Sequence, residues 1–468
     1  SMAKRWEISK DGLTYTFHLR DDIYFHDDPC FENKTERKVT ARDFVYSLKR
    51  IYDPKTASPG AWIFNNMDKE KGPTAINDTT LQIYLKRSFP AFLGLLTMKY
   101  CSVVPHEAVE YYGEDFGRNP VGTGPFRFKI WKEGEKLVFV KNADYFETDS
   151  TGTPLPYLDA VAITFVTDKM SEFLEFIKGN LDFLSGLSPA NKDELITRGG
   201  NLNPRYTDRI KLLTQPYLNT EYLGFLVDTS FEKVKNSPTS GLYVRKAINY
   251  GFNRKKMMKY LRNNIGTPAN EGFIPKGLKA YAPEKIEGYK YNPEKAMEHL
   301  KKAGYPKGKG LPEITLTTTD DYRDLCEFIQ HQLADIGIKI NIEISTGATF
   351  RDMVANSKLL FFRGSWIADY PDAENYLALF YSKNFSPGGP NYTHFSNPQY
   401  DKLYEKALRT NDEQERIQLY HKMDQMIIDN AVVVPLYYDQ VVRFTKTNVK
   451  NLGSNPMNLL TLKYVKKE

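Results

Sequence analysis

Hydrophobic and polar residues alternate near the start of the chain. Tyr15, Phe17 and Leu19 interleave with Thr14, Thr16 and His18 after the Lys10-Asp11-Gly12 turn, which predicts a half-buried strand. The period then lengthens. Phe44, Leu48 and Ile51 recur at helical spacing behind Thr40, a residue type that caps helices, and Asp53-Pro54 stops the run. Short strands and turns lead to Asn119-Pro120-Val121-Gly122-Thr123-Gly124-Pro125, whose clustered turn formers predict a domain crossing. Strands are expected at 126–130 and 136–140, and a helix around 170–178. From about Val244 helices and strands alternate. A helix near 293–303, a strand at 313–319, a helix near 322–333 and a strand at 339–344 make a βαβ pattern, which predicts a parallel sheet. Helices near 400–408 and 413–428 and a strand at 432–438 complete the pattern, and no internal repeat is present.

One apolar run carries a cation and, six residues later, an anion: Leu359-Leu360-Phe361-Phe362-Arg363-Gly364-Ser365-Trp366-Ile367-Ala368-Asp369-Tyr370-Pro371. Strand side chains alternate faces, so the even spacing sets Arg363 and Asp369 on one face, at most ~20 Å apart at ~3.3 Å per residue. Two readings stay open. The pair grips the two ends of a zwitterion, such as an extended peptide laid along the strand, or both are solvated charges at a strand end. If the strand runs parallel to its neighbours, Asp369 lies where open α/β sheets bind ligands.

Composition narrows the class. The chain has 468 residues, too many for one core, which suggests two or three domains. Its 64 Lys+Arg and 58 Asp+Glu are interspersed, with no basic block of the kind that binds nucleic acid, so no nucleic-acid partner is expected. Aromatics reach 13%, with 31 Tyr, a residue useful in sites that accept varied ligands and equally at home in half-buried strands. No stretch approaches the ~18 consecutive apolar residues of a membrane helix. Three cysteines are too few for a disulfide framework; a single Cys30–Cys101 pair is the expectation in an oxidising compartment.

Catalytic chemistry is not indicated. The chain has no G-x-S-x-G elbow, H-E-x-x-H helix, P-loop or G-x-G-x-x-G. His26, Asp27, Asp28 and Cys30 are metal-ligand types without a matching second cluster, and a solvated turn is the better reading. Gly304-Tyr305-Pro306-Lys307-Gly308-Lys309-Gly310 follows a helix and precedes a strand, the reverse of a phosphate loop. No catalytic residue, cofactor or metal is assigned.

Several strings, in order, resemble one family, the extracytoplasmic solute-binding proteins of ABC peptide importers. They are Trp6-Glu7-Ile8-Ser9-Lys10-Asp11-Gly12-Leu13-Thr14-Tyr15-Thr16-Phe17-His18-Leu19-Arg20, Val39-Thr40-Ala41-Arg42-Asp43-Phe44, Gly122-Thr123-Gly124-Pro125-Phe126, Gly179-Asn180-Leu181-Asp182, Phe395-Ser396-Asn397-Pro398 and Val434-Pro435-Leu436-Tyr437-Tyr438. The resemblance implies an α/β, periplasmic-binding-protein-like two-lobed fold of type II, with mixed sheets flanked by helices. It implies an extra domain over 1–118, a first lobe over 119–232 plus 442–468, and a second lobe over 233–441. It further implies a protein of the periplasm or cell envelope, monomeric and lipid-anchored, that binds short peptides in an interlobe cleft and hands them to an ABC permease. The alternatives within the resemblance are a non-peptide solute (glycan, metal chelate or haem) and a chaperone or sensor uncoupled from transport.

By this resemblance Asp369 grips the peptide ammonium and Arg363 lies near its carboxylate end. Ser365 and Ile367 offer backbone groups while Trp366 packs behind the strand. Ser185 bonds the peptide backbone, and Asn219, Tyr222, Tyr437 and Asp439 lie on segments crossing between lobes. Gly60 and Gly347 stand where oligopeptide binders tend to carry aromatics. The matched strings begin some tens of residues inside the family pattern, so a leader and the first strands of the first lobe are expected to be missing from this chain.

Overall fold

The computed structural model describes residues 1–186 and 192–468. The chain divides into two compact units, Ser1–Leu184 with Thr445–Ser454 and Leu460–Glu468, and Ser185–Phe444 with Asn455–Leu459.

The first unit holds two antiparallel sheets. Strands β1 (Ala3–Ile8), β2 (Thr14–Leu19), β3 (Thr74–Asn77) and β4 (Thr80–Tyr84) pair in the order β1-β2-β4-β3. Tyr15 and Leu19 are buried while Thr14, Thr16 and His18 are not, as the two-residue period requires. The helix Ala41–Tyr52 lies against β3 and β4. It starts at Thr40 because the Asp43 carboxylate accepts from the Thr40 amide at 2.7 Å, satisfying a donor at the helix start. The second sheet, β5 (Phe126–Lys132), β6 (Lys136–Lys141) and β7 (Ala160–Thr164), is a three-stranded meander.

His26 ties the turn between these sheets. Its amide donates to Gly122 O at 2.8 Å and its Nε2 donates to Gly124 O at 2.9 Å. The three cysteines are free thiols, correcting the expected Cys30–Cys101 bridge. They belong to different surroundings: Cys30 packs near Phe25 and Phe31, whereas Cys101 lines an apolar pocket with Leu93 and Leu96. Gly60 opens no space, since the Tyr100 ring already lies 2.6 Å from where its Cβ would be.

The second unit is built on a seven-stranded sheet. Strands β8 (Phe183–Ser185), β9 (Ile210–Phe225), β10 (Thr267–Pro268), β11 (Ile314–Thr318), β12 (Ile340–Ile344), β13 (Phe361–Ile367) and β14 (Val433–Lys446) run in the order β10-β14-β9-β13-β11-β12, with β8 on β14. The predicted βαβ unit is present: β11 and β12 are parallel and flank the helix Arg323–Ala334. Asn219 and Tyr222, expected on a segment crossing between lobes, lie in the second half of the long central strand β9, and β14 extends well past the predicted 438.

Apolar side chains cover both sheet faces. Leu223, Phe225 and Phe361 join a core with Val244, Ile248, Leu316 and Ile329, while Leu218, Tyr222 and partly buried Trp366 join one with Phe273, Tyr376 and Phe380. That two-sided burial is why these strands read as apolar runs rather than alternations. Two glycines permit the close register of β9 and β13. A Cβ on Gly364 would sit 2.5 Å from the Tyr222 ring, and one on Gly224 would sit 2.7 Å from the Phe362 ring.

Candidate functional site

Strand β13 has one closed edge and one open edge. Along the closed edge all seven residues pair antiparallel with β9, from Phe361↔Phe225 to Ile367↔Asn219. On the other side β11 meets it, parallel, at Thr317↔Phe362 alone. The Ala368 amide donates to Leu218 O and Leu360 O accepts from the Leu226 amide, so even-numbered backbone groups face β9. The amides and carbonyls of Ser365 and Ile367 therefore point to the open edge. Among the described residues no strand pairs with them there.

The two charges that mark this strand in the sequence have different fates. Arg363 donates to the Glu221 carboxylate through a short contact, and its guanidinium lies 3.3 Å from the centroid of the Tyr322 ring. The side chains of Arg363 and Glu221 are 11% and 4% exposed. Burial opposes the charge on Arg363, and Glu221 more than restores it, so the guanidinium is held above its ordinary range. The network continues inward. Asn219 Nδ2 donates to Glu221 Oε1 at 3.0 Å and to Asp439 Oδ2 at 3.4 Å, and Arg262 donates to Asp439 at 3.0 Å while covering the Tyr437 ring at 5.0 Å. Two arginines and two carboxylates balance within the protein.

Asp369 has no such partner. Among the described residues no cation pairs with it; Asn375 Nδ2 donates to its Oδ2 at 3.2 Å. Desolvation pushes its carboxyl above the ordinary range and the Asn375 bond only partly opposes this. Buried Asn375 also accepts from the Asp369 amide at 3.0 Å and from Trp366 Nε1 at 2.9 Å, so one side chain holds both the anion and the tryptophan. Behind this loop Glu374 accepts from the hydroxyls of Tyr370 and Tyr404. Burial pushes its carboxyl up to about 7.

Beside the open edge lies a pocket of about 650 Å³. Its walls come from β13 (Arg363, Ser365, Trp366), the turn after β11 (Thr319–Tyr322), one face of the helix Gly347–Ala355 along its whole length, and Tyr392. It sits at the carboxyl ends of parallel β11 and β12 and runs along β13 from Phe362 to Trp366; the carboxyl ends of strands are the position expected of a ligand site in such a sheet.

The structure thus brings Ser365 and Trp366 together at the pocket, with exposed Ile367 and Asp369 at the strand's end. It places Arg363, Asn219, Tyr437 and Asp439 in the internal charge network and buries Tyr222, whose ring lies over Gly364. Ser185 is exposed at the end of β8. Sequence reasoning missed Glu221, Arg262, Tyr322, Asn375 and Arg351. Glu221 carried a signal, a charge two residues from Asn219 in the buried half of β9; Asn375 lies in the short helix Glu374–Leu377 and Tyr322 ends the single turn Asp320–Tyr322, both too short to show a period.

Over residues 1–388 the chain matches the family model described as Bacterial extracellular solute-binding proteins, family 5 Middle. It is 28% identical over 461 residues to the Glutathione-binding protein GsiB of Salmonella typhi, covering 97% of this chain and 83% of that protein. Its fold is similar to that of the ABC transporter-associated periplasmic binding protein DppA from Helicobacter pylori, solved in complex with the peptide STSA. Identity there is 26% and the TM-score 0.79, over 100% of this chain and 89% of that one. The ABC transporter substrate-binding protein CtaP from Listeria monocytogenes is 24% identical with a TM-score of 0.82, over 100% and 90%.

Proposed function

We propose that this chain, which belongs to family 5 of the bacterial extracellular solute-binding proteins, takes a short peptide as its solute. Binding a solute outside the cytoplasm for an ABC importer is the activity of the family. The observation that carries the peptide reading is the open edge of β13 ending at an unpaired carboxylate. An extended peptide satisfies the free amides and carbonyls of Ser365 and Ile367 by adding a strand, whatever its side chains. Its ammonium meets Asp369, and a charge-assisted bond there replaces the water lost by both groups. A neutral glycan would leave Asp369 without a counter-charge. The peptides in the DppA complex and in the name of GsiB support the same solute class. In this reading the protein is a monomer that needs no cofactor and delivers peptides to its permease with tolerance for sequence.

Calorimetry with free-amine peptides and their N-acetylated counterparts tests this. Asp369→Asn is expected to weaken free-amine peptides at least tenfold and to leave acetylated ones unchanged, about 1.4 kcal/mol for the lost charge. Equal losses for both would remove Asp369 as the ammonium anchor.

A further inference from the structure

We infer that His394 is a positioning residue for the pocket beside β13: as an imidazolium it pins the wall that carries Tyr392. The inference rests on the reading of that pocket as the solute site. Phe350, Val354, Phe362 and Tyr392 line the pocket and pack with Leu359 into one apolar cluster. Ser357 is the joint between the helix Gly347–Ala355 and β13, and Ser386 and His394 flank Tyr392 in the chain. His394 Nε2 lies 2.9 Å from Ser357 Oγ and 3.1 Å from Ser386 Oγ, and the two hydroxyls are 2.8 Å apart. One imidazole thus ties the loop bearing Tyr392 to the joint that carries the rest of the wall. Ser357, His394 and Asp228 stand in the order of a nucleophile, a base and an orienting acid. However, Ser357, Ser386 and His394 are 6%, 4% and 7% exposed and none lines the pocket, so their role is to hold rather than to react.

The charge on His394 follows from counting acceptors. Nδ1 faces Asp228 Oδ2 at 3.4 Å, and Nε2 faces the Ser386 carbonyl oxygen at 3.0 Å. A neutral imidazole has one N–H and sets a lone pair against one of these oxygens, whereas an imidazolium donates to both. Burial opposes the charge on Asp228, and bonds from Ser230 and His394 outweigh it, holding its carboxyl below the ordinary range. The Phe385 ring stacks on the imidazole at 4.5 Å and offers a cation its face. The opposing cation is Lys233, which donates to Ser357 O, while Lys358 beside Ser357 turns to Asp352 at 3.2 Å. Ser357 and His394 both hold left-handed backbone, with φ of 53° and 52°, which residues other than glycine keep only where their surroundings enforce it.

The test is the ratio of wild-type to His394→Gln affinity for trialanine, by calorimetry at pH 5.5 and pH 8.5. The peptide ammonium, Asp369 and Glu374 titrate alike in both proteins and cancel in the ratio. It is expected to be about five at pH 5.5 and to fall to about one at pH 8.5, where a neutral imidazole makes no more bonds than the amide. A ratio that is the same at both pH values marks a merely structural role and overturns the inference while leaving the peptide reading intact. Hydrogen exchange over residues 384–395, compared between the two proteins at matched pH, reads the pin without a solute. Wild type is expected to exchange several-fold more slowly at pH 5.5 and alike at pH 8.5; equal exchange at pH 5.5 overturns the inference. If wild type binds no trialanine, the peptide reading falls, and the exchange comparison by itself decides whether His394 is the pin. Should His394→Gln fail to fold, Asp228→Asn, which removes the anion that the imidazolium answers, takes its place in both measurements with the same expected outcomes.

Discussion

The two ends of β13 carry opposite charges in similar apolar sequence, yet one end is sealed and the other is available. At the Arg363 end a neighbour on β9, Glu221, supplies the counter-charge, and both side chains leave water together. At the Asp369 end the nearest support is an amide, Asn375, which orients the carboxylate without neutralising it. A charge paired inside the fold has its counter-charge within the chain; a charge that the fold orients but does not pair has none there.

The sharpest way to break this contrast is to remove Glu221. Glu221→Ala leaves the Arg363 guanidinium buried without its anion and is expected to cost about 3–5 kcal/mol of unfolding free energy in a urea titration. Combining Glu221→Leu with Arg363→Met should recover most of that loss, because an apolar pair needs no counter-charge. A loss under 1 kcal/mol for Glu221→Ala would mean that Arg363 is solvated, and the two ends of the strand would then be alike.

The Asp369 end can be probed through pH. Glu374 has an ordinary value of 4.5 and is raised to about 7 by burial. Below 4.5 it is protonated in both folded and unfolded chains. Between 4.5 and about 7 the folded chain keeps a proton that the unfolded chain has lost, so stability falls as pH rises, by about 3 kcal/mol once pH exceeds 7. Glu374→Gln should abolish that part of the slope, seen as a smaller difference between urea midpoints at pH 5 and pH 8 than in wild type. Parallel pH profiles would contradict it.

The smallest effect lies midway along the strand. Gly364→Ala places a methyl against the Tyr222 ring and is expected to cost ~1–3 kcal/mol by overpacking. Its readout is a lowered thermal midpoint. A neutral result would show that Tyr222 yields easily and that the register of β9 and β13 is loosely held.

Much of the fold was legible in the chain. The helix 41–52 with its Thr40 start, the meander at 126–141 and the βαβ unit around the helix 323–334 all follow local periodicity and capping, and they stand within a few residues of where the pattern puts them. Long central strands were harder. The second half of β9 and most of β14 are buried on both faces and lose their alternation, so β9 was not read as a strand and β14 was read only as far as 438.

The site was half legible. Even spacing predicted Arg363 and Asp369 on one face, although the strand ends at Ile367 and Asp369 follows it, and odd numbering put the backbone of Ser365 and Ile367 on one edge, because strand geometry has a period of two. Which edge is open, and which charge is already answered, are facts about neighbours far away in sequence. Glu221 lies 142 positions from Arg363. The sequence by itself determined the elements, the family resemblance and the candidate charges, since these depend on residues within a few positions of one another. The tertiary structure alone decided that Arg363 is paired with Glu221 while Asp369 meets only an amide, because the energy of a charge depends on what surrounds it in space.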